Sequence, residues 1–282
     1  MEQHEQLLIK ELLANLRVEI LQVGYIKCPK MWQEIDYVPN YNKFYLIEGG
    51  EGTLEIDGNE YNPKARQMFL MPQGIKQSYS YTDFDKTFLK YWVHFTATIG
   101  DINLFNLIQI PFFIDVSDFT RASEIFGRLG KFYNNSNSIT ANLVAKICLY
   151  ELISLFLEHI GAENIFLREN GEISRLNSVL QYIENHLSEN ITIKQLAGEA
   201  YLHPNYFIRL FKNKMGVSPI NYINKKRLEK AKQLLSIENI PVNEVAMQSG
   251  FQNVSYFFNI FKKHIGMTPS EYRASIYLHD RI

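Results

Sequence analysis

The sequence is short of cysteine. Among 282 residues there are two, Cys28 and Cys148, too few and too far apart for a disulfide framework or for the paired spacing of a zinc site. The expectation is a reducing, cytoplasmic location and no disulfide. Long apolar runs are missing too. No stretch reaches about eighteen apolar residues, which predicts no membrane span. Residues 1–17 lack the apolar core and small-residue cleavage site of a signal peptide. Charged residues are 21% of the chain and apolar residues 46%. That balance supports ordinary cores and excludes a disordered chain. The length predicts two domains.

Charge is unevenly placed. Residues 172–282 hold 14 Lys and Arg against 9 Asp and Glu, and the remainder holds 15 against 21, which returns the net charge of -1. A basic back part behind an acidic front suggests that the back meets an anion.

From about residue 20 to 98, short β-prone runs are separated by turn residues. They are Phe44–Ile47, Gly52–Ile56, Met68–Met71 and Phe88–Phe95. Asp57-Gly58 between alternating segments signals a two-residue hairpin, and Gly49-Gly50 and Pro72-Gln73-Gly74 mark further turns. Strands of this length predict an antiparallel sandwich or a small barrel. On the strand 87–95, Phe88, Lys90, Trp92 and His94 share one face, because strand side chains alternate. An aromatic ring beside polar groups suits a sugar, whose C–H faces stack and whose hydroxyls need partners. Lys90, Trp92 and His94 are therefore the ligand-binding candidates, and a packed barrel without ligand is the alternative.

Helices are predicted over 4–17, 119–133 and 139–160. The last carries Leu143, Ile147, Tyr150, Ser154 and Leu157 on one side and Val144, Cys148, Leu152, Leu155 and Phe156 beside them. That stripe is too wide for one domain face, so a partner helix is expected there. The polar stretch Gly161 to Ser174 reads as a linker.

Everything after it is helical in pattern, and it contains a repeat. Tyr201–Tyr222 and Phe251–Tyr272 align without a gap at an offset of fifty residues, with seven of 22 positions identical. The identities are Tyr206/Tyr256, Phe207/Phe257, Phe211/Phe261, Lys212/Lys262, Gly216/Gly266, Pro219/Pro269 and Tyr222/Tyr272. Upstream, with one residue of slippage, Leu196-Ala197 matches Val245-Ala246. Each copy reads as helix, tight turn, helix: Ile193–Glu199 then Pro204–Met215, and Val242–Gln248 then Val254–Ile265. In each second helix the apolar spacing marks a core face, with Phe207, Leu210, Phe211 and Met215 in one and Phe257, Ile260, Phe261 and Ile265 in the other. The opposite stripes carry Asn205, Ile208, Arg209 and Lys212, and Ser255, Phe258, Asn259 and Lys262. Amide, hydroxyl and guanidinium groups read base edges, and lysine neutralises phosphate. Ile208 and Phe258 fit either a thymine methyl or packing against the joining helix.

Residues 173–274 resemble the DNA-binding domain of AraC-type (arabinose-regulator) transcription factors. The resemblance rests on Leu196-Ala197, Tyr206-Phe207, Leu210-Phe211-Lys212, Gly216, Pro219, Val245-Ala246, Gly250-Phe251, Ser255-Tyr256-Phe257, Phe261-Lys262-Lys263, Gly266, Pro269 and Tyr272-Arg273. It implies seven helices, with Ile220–Ser236 joining the units and one recognition helix entering each of two successive major grooves. His203 and Asn205 stand where small hydroxyl residues are usual, and Asn259 where Arg is frequent. The β-rich region resembles, more loosely, the family's cupin-like sensor over Tyr45–Gly58, Phe69–Pro72 and Tyr91–Phe95. Arg66 or Gln67 occupies a turn that usually carries Gly, and Gln77 replaces a common His. Metal-binding cupins cluster His and Glu ligands. This region has His94 alone, so no metal, no cofactor and no catalysis are expected.

The expected fold class is α+β in two domains. Residues 1–165 form a β-rich, cupin-like effector-binding and dimerisation domain with flanking helices. Residues 172–282 form an all-α DNA-binding domain with two helix-turn-helix units, at about 190–216 and 240–266, joined by a central helix. The expected function is a ligand-responsive, sequence-specific transcription regulator of carbohydrate uptake or metabolism genes, an activator and not an enzyme. Its expected partners are double-stranded promoter DNA, a small polar effector such as a sugar, a second copy of the chain and RNA polymerase, with no membrane. The expected DNA contacts are Asn205, Ile208, Arg209, Lys212, Lys226, Ser255, Phe258, Asn259, Lys262 and Lys263. One rival is a cupin enzyme fused to a DNA-binding tail, which stoichiometric bound metal would favour. The other is an architectural DNA binder, whose specificity ratio would be near one.

Overall fold

Alternation of apolar and polar residues governs the first part of the chain, and a 3.6-residue period governs the rest. A computed structural model describes residues 2–135, 138–168, 171–237 and 240–279. The chain divides into two compact units, one of residues 5–170 and one of residues 171–282 with the first four residues.

In the first unit, helix α1 (Glu2–Leu13) precedes strand β1 (Arg17–Lys27). The strands β2 (Glu34–Tyr37), β3 (Asn42–Gly49), β4 (Thr53–Ile56), β5 (Asn59–Tyr61), β6 (Gln67–Met71), β7 (Gln77–Ser80), β8 (Leu89–Ile99) and β9 (Ile102–Asn103) follow. Then come a one-turn helix α2 (Leu104–Leu107), β10 (Ile108–Gln109), β11 (Phe113–Asp115), α3 (Phe119–Tyr133), α4 (Ala141–Ile160) and β12 (Phe166–Leu167). One antiparallel sheet has the order β1-β8-β3-β6-β11, with β9 also on β8, and a second has the order β2-β7-β4-β5. Asp57 and Gly58 both take positive φ, 54° and 76°, as a type I′ hairpin requires, and they join β4 to β5. Arg66 also takes a positive φ of 72°, the conformation for which glycine is the usual choice.

The larger sheet has two unlike faces. On one, Phe95 stacks on Phe44 with centroids 4.9 Å apart, Phe44 meets Phe156 of α4 at 5.3 Å, and Tyr91 meets Phe126 of α3 at 5.8 Å. Helices α3 and α4 thus cover that face, and truncating Phe44 there would cost ~3–5 kcal/mol. The other face turns toward the smaller sheet. Tyr45, Ile47, Phe69 and Met71 meet Leu54 and Ile56 of β4 there, all almost fully buried. Cys28 and Cys148 are buried free thiols.

Two expectations need correction. The helix expected to reach residue 17 stops at Leu13, and Arg17 already pairs with Thr98. The stretch Gly161 to Ser174, expected as a linker, instead holds a 3-10 turn (Ala162–Asn164), β12 paired with β10, and the start of the next helix. Non-local pairing gives these residues structure that no local pattern announces.

Seven helices are described in the second unit. They are α5 (Gly171–Asn185), α6 (Ile193–Glu199), α7 (Pro204–Met215), α8 (Pro219–Leu235), α9 (Val242–Gln248), α10 (Val254–Ile265) and α11 (Pro269–His279). Thr192 caps α6 in a reciprocal capping box with Gln195, Ser218 caps α8, and Asn253 caps α10. Pro204 and Pro219 sit in the first turns of α7 and α8, where no backbone donor is needed. Gly216 and Gly266 end α7 and α10 in the left-handed conformation, with φ of 71° and 86°.

Candidate functional site

The identical positions of the repeat build one frame twice. Phe207 and Phe211 sit 5.7 Å apart at 62°, and Phe257 and Phe261 sit 5.5 Å apart at 64°. Tyr222 meets Phe211 at 5.6 Å and 71°, and Tyr272 meets Phe261 at 5.6 Å and 70°. All four phenylalanines are essentially unexposed. Burying each contributes about 1.5–3 kcal/mol, so this edge-to-face train locks the second helix of each unit against the helix that follows.

The turn is also built twice, with one difference. Leu202 N–H donates to Ala197 O, and Phe251 N–H donates to Ala246 O. The left-handed residue is Tyr201 in the first turn (φ 52°) and Gly250 in the second (φ 96°). The second turn then carries one more residue before its helix, which accounts for the slippage in the repeat.

With the Phe faces buried, the opposite faces are outward. Asn205, Arg209 and Lys212 on α7 are exposed, as are Ser255, Asn259, Lys262 and Lys263 on α10. The Arg209 guanidinium lies 5.9 Å from the Tyr206 ring, a lateral support for its planar fork. Ile208 and Phe258 are half-buried. Phe258 packs on the cluster that includes Leu228, Ala231 and Leu235 of α8, so packing against the joining helix accounts for much of it. Lys226 sits apart from the other basic candidates. Its side chain is 15% exposed, and its Nζ lies 3.7 Å from Glu229 and over the Tyr222 ring.

Three residues outside the sequence reading hold this unit together. Arg227 Nε donates to Leu187 O at 3.0 Å and its other end to Glu189 O at 2.6 Å, with the guanidinium over the Phe251 ring. Asn224 Nδ2 donates to the Tyr256 hydroxyl at 3.0 Å, tying α8 to α10. Buried Lys214 lies 3.8 Å from Glu172. A lone basic residue in a basic helix gives no sequence signal for such roles.

In the first unit, the strand alternation brings Lys90, Trp92 and His94 of β8 to the face that meets the smaller sheet. Their β3 partners are Ile47, Tyr45 and Lys43. Trp92 and His94 have ring centroids 4.7 Å apart, and His94 stacks on Tyr41. A Cβ on Gly24 would stand 2.9 Å from the Trp92 indole, so the bare Cα of Gly24 is what admits the ring against β1. Lys90 is 3% exposed, with Nζ 3.2 Å from the Tyr45 centroid and 4.0 Å from the Trp32 centroid. Lys43, which the sequence reading missed, is 1% exposed, with Nζ over Tyr37, Tyr79 and Tyr41. Burial pushes the Lys43 ammonium down to about 8 and the Lys90 ammonium well below the ordinary lysine range. Burial and the two lysines push His94 down to about 3, so its ring is neutral near pH 7. Lys43 is a single lysine at the start of an apolar strand, and nothing in the sequence marks it out from a surface base.

Among the described residues, no three His, Cys, Asp or Glu side chains gather where they could hold a metal ion, and no helix is long and apolar enough to cross a membrane.

Comparison with known proteins bears on both units. A family model described as a helix-turn-helix domain matches residues 196–275. The probable transcriptional regulator LumQ of Photobacterium leiognathi is 36% identical over 130 residues, 45% of this chain and 52% of LumQ. The chain therefore spans about half the length of that relative. The arabinose operon regulatory protein of Escherichia coli is 27% identical over 231 residues, 80% of this chain and 77% of the relative. The raffinose operon transcriptional regulatory protein RafR of Pediococcus pentosaceus is 27% identical over 274 residues, 94% of this chain and 97% of RafR. The chain thus carries a helix-turn-helix domain over residues 196–275 and is similar, along both units, to the regulators of the arabinose and raffinose operons.

Proposed function

We propose that the chain is a ligand-responsive regulator that binds promoter DNA by sequence and controls genes of carbohydrate uptake or metabolism, acting in the cytoplasm as an activator. The observation that carries this is the pair of matched frames, each turning a polar stripe outward on the helix that follows a tight turn. On α7, Arg209 suits the two acceptors of guanine and Asn205 suits adenine. On α10, Ser255 and Asn259 offer shorter groups, and Lys212, Lys262 and Lys263 are placed for phosphate. The relatives named for arabinose and raffinose operons support carbohydrate genes as the target.

The first unit serves, in this reading, as a cupin-like sensor and dimer module. Leu143, Ile147 and Tyr150 of α4 are 61%, 44% and 40% exposed, an apolar stripe that a second copy of the chain would cover. Two readers held together bind one DNA segment at raised effective concentration. An effector acts only if it binds one arrangement of the dimer better than another. RNA polymerase is the remaining partner of an activator.

The test is selection of bound fragments from genomic or random DNA. A regulator favours its site over bulk DNA by roughly a thousandfold or more, with the recovered sites beside carbohydrate genes. A ratio near one would defeat the proposal. Sedimentation of the purified chain tests the dimer, and a monomer at micromolar concentration would remove that part.

A further inference from the structure

Buried lysines ordinarily come with a carboxylate, because an uncompensated charge away from water is costly. The sensor unit has two that do not. Lys43 and Lys90 are 1% and 3% exposed, and among the described residues neither ammonium makes a hydrogen bond or an ion pair. Aromatic faces surround them instead: Tyr37, Tyr41 and Tyr79 around Lys43, and Tyr45 and Trp32 around Lys90. Ring faces offset part of the cost of a desolvated cation, not all of it. Glu34, the carboxylate that acts on Lys43 from β2, is exposed and accepts the Tyr79 hydroxyl at 2.7 Å.

The two cations share one chamber. Trp32, beside Lys90, stacks on Tyr79, beside Lys43, at 4.2 Å. His94 is opposite Lys43 in the β3–β8 register, both lysines act on His94, and Lys43 acts on Lys90. The chamber therefore has positive groups, aromatic walls and no buried carboxylate of its own among the described residues. A neutral sugar would stack on Trp92 and use its hydroxyls, but it would leave both ammonium groups uncompensated.

We propose that the effector carries an acid group, a carboxylate or a phosphate, seated between Lys43 and Lys90, on a hydroxylated body stacked against Trp92. The effector class is an acidic carbohydrate: a sugar acid or a sugar phosphate. This rests on reading the chamber as the effector site, and it replaces a neutral sugar with a charged one. The acid supplies the negative charge that the fold withholds, so the lysines are fully satisfied only in the occupied state. His94, neutral, donates or accepts one hydrogen bond to a hydroxyl.

Both tryptophans of the chain, Trp32 and Trp92, line this chamber, so their emission reports on it alone. The experiment titrates the full chain with matched compounds at constant ionic strength. These are glucose and galactose, then glucuronate, galacturonate and gluconate, then glucose 6-phosphate and ribose 5-phosphate, with acetate and inorganic phosphate as bare acids. At least one sugar acid or sugar phosphate is expected to change the emission saturably and raise the melting temperature, binding at least tenfold tighter than its neutral counterpart. The arm that responds distinguishes carboxylate from phosphate. Lys43→Met and Lys90→Met, checked for folding by near-UV circular dichroism, are each expected to weaken that binding at least tenfold. The comparison of acid with neutral sugar on the wild-type chain stands even if a variant does not fold. Three results would overturn the proposal: a neutral sugar binding as tightly as its acid, an acid response unchanged in folded variants, or no response to any acid. A bare acid matching the sugar acids would overturn the hydroxylated body. Failure here leaves selective DNA binding untouched, whereas failure of the regulator reading appears as loss of DNA selectivity with no compound added.

Discussion

The two helix-turn-helix units of this chain share a skeleton and differ in what they show to solvent. The Phe-Phe-Tyr geometry agrees between them to within 0.2 Å and 2°. Yet Asn205, Arg209 and Lys212 face outward from one, and Ser255, Asn259 and Lys262 from the other. The buried face is constrained by packing at near-crystalline density, where one methylene is felt. The outward face is constrained only by what it meets. A duplicated module can therefore keep its frame while its outward faces diverge, and in the proposed reading the longer, always-charged fork of Arg209 gives the first helix-turn-helix the stronger reach for a base.

The sharpest contrast lies in the two turns. A Cβ on Gly250 would stand 2.1 Å from Leu187 O and 2.8 Å from the Arg227 guanidinium, on a backbone of positive φ. Gly250→Ala is expected to destabilise the second unit by ~3 kcal/mol or more, read as a loss of melting temperature, because backbone must move. A loss below ~1 kcal/mol would show that the turns are interchangeable. The next effect is on recognition. Arg209→Ala is expected to cost about 1–3 kcal/mol on the selected site and to relax preference at one base position. Asn259→Ala is expected to cost less than half of that. Equal costs, measured by competition titration, would erase the difference between the readers. Smaller still is the charge effect. Removing Lys212 or Lys262 should lower the salt slope of binding by about one unit each and leave base preference intact. An unchanged slope would take that lysine out of the interface. Smallest is Tyr201→Gly. Tyr201 is 89% exposed in the left-handed region, so the change should alter stability by no more than ~1 kcal/mol, toward greater stability.

How much of this was legible in the sequence differs by unit. In the second, local chemistry decides where helices start and stop. Pro204, Gly216, Gly250 and Gly266 mark boundaries in the sequence, and α6, α7, α9 and α10 fall on the expected residues. In the first, Asp57-Gly58 and the strands β3, β4, β6 and β8 were legible for the same reason, whereas the eleven-residue β1 was not. The short pairings were not. β12 has two residues and exists because it meets β10, which lies more than fifty positions earlier. Burial of single polar residues was equally hidden. Lys43 and Arg227 look like any surface base in the sequence, and only the fold shows that one faces three tyrosines and the other holds two loop carbonyls. Lys226 shows the converse, a basic residue of the joining helix that its own neighbours Glu229 and Tyr222 engage.

The central claim is that two unequal readers on one frame recognise one DNA site. Hydroxyl-radical protection of a selected site by the full chain, with and without Arg209→Ala, tests it most directly. The account predicts two protected blocks about one helical turn, ~10 bp, apart, with Arg209→Ala abolishing base preference in one block and sparing the other. A single protected block, or a uniform weakening on every sequence, would contradict it.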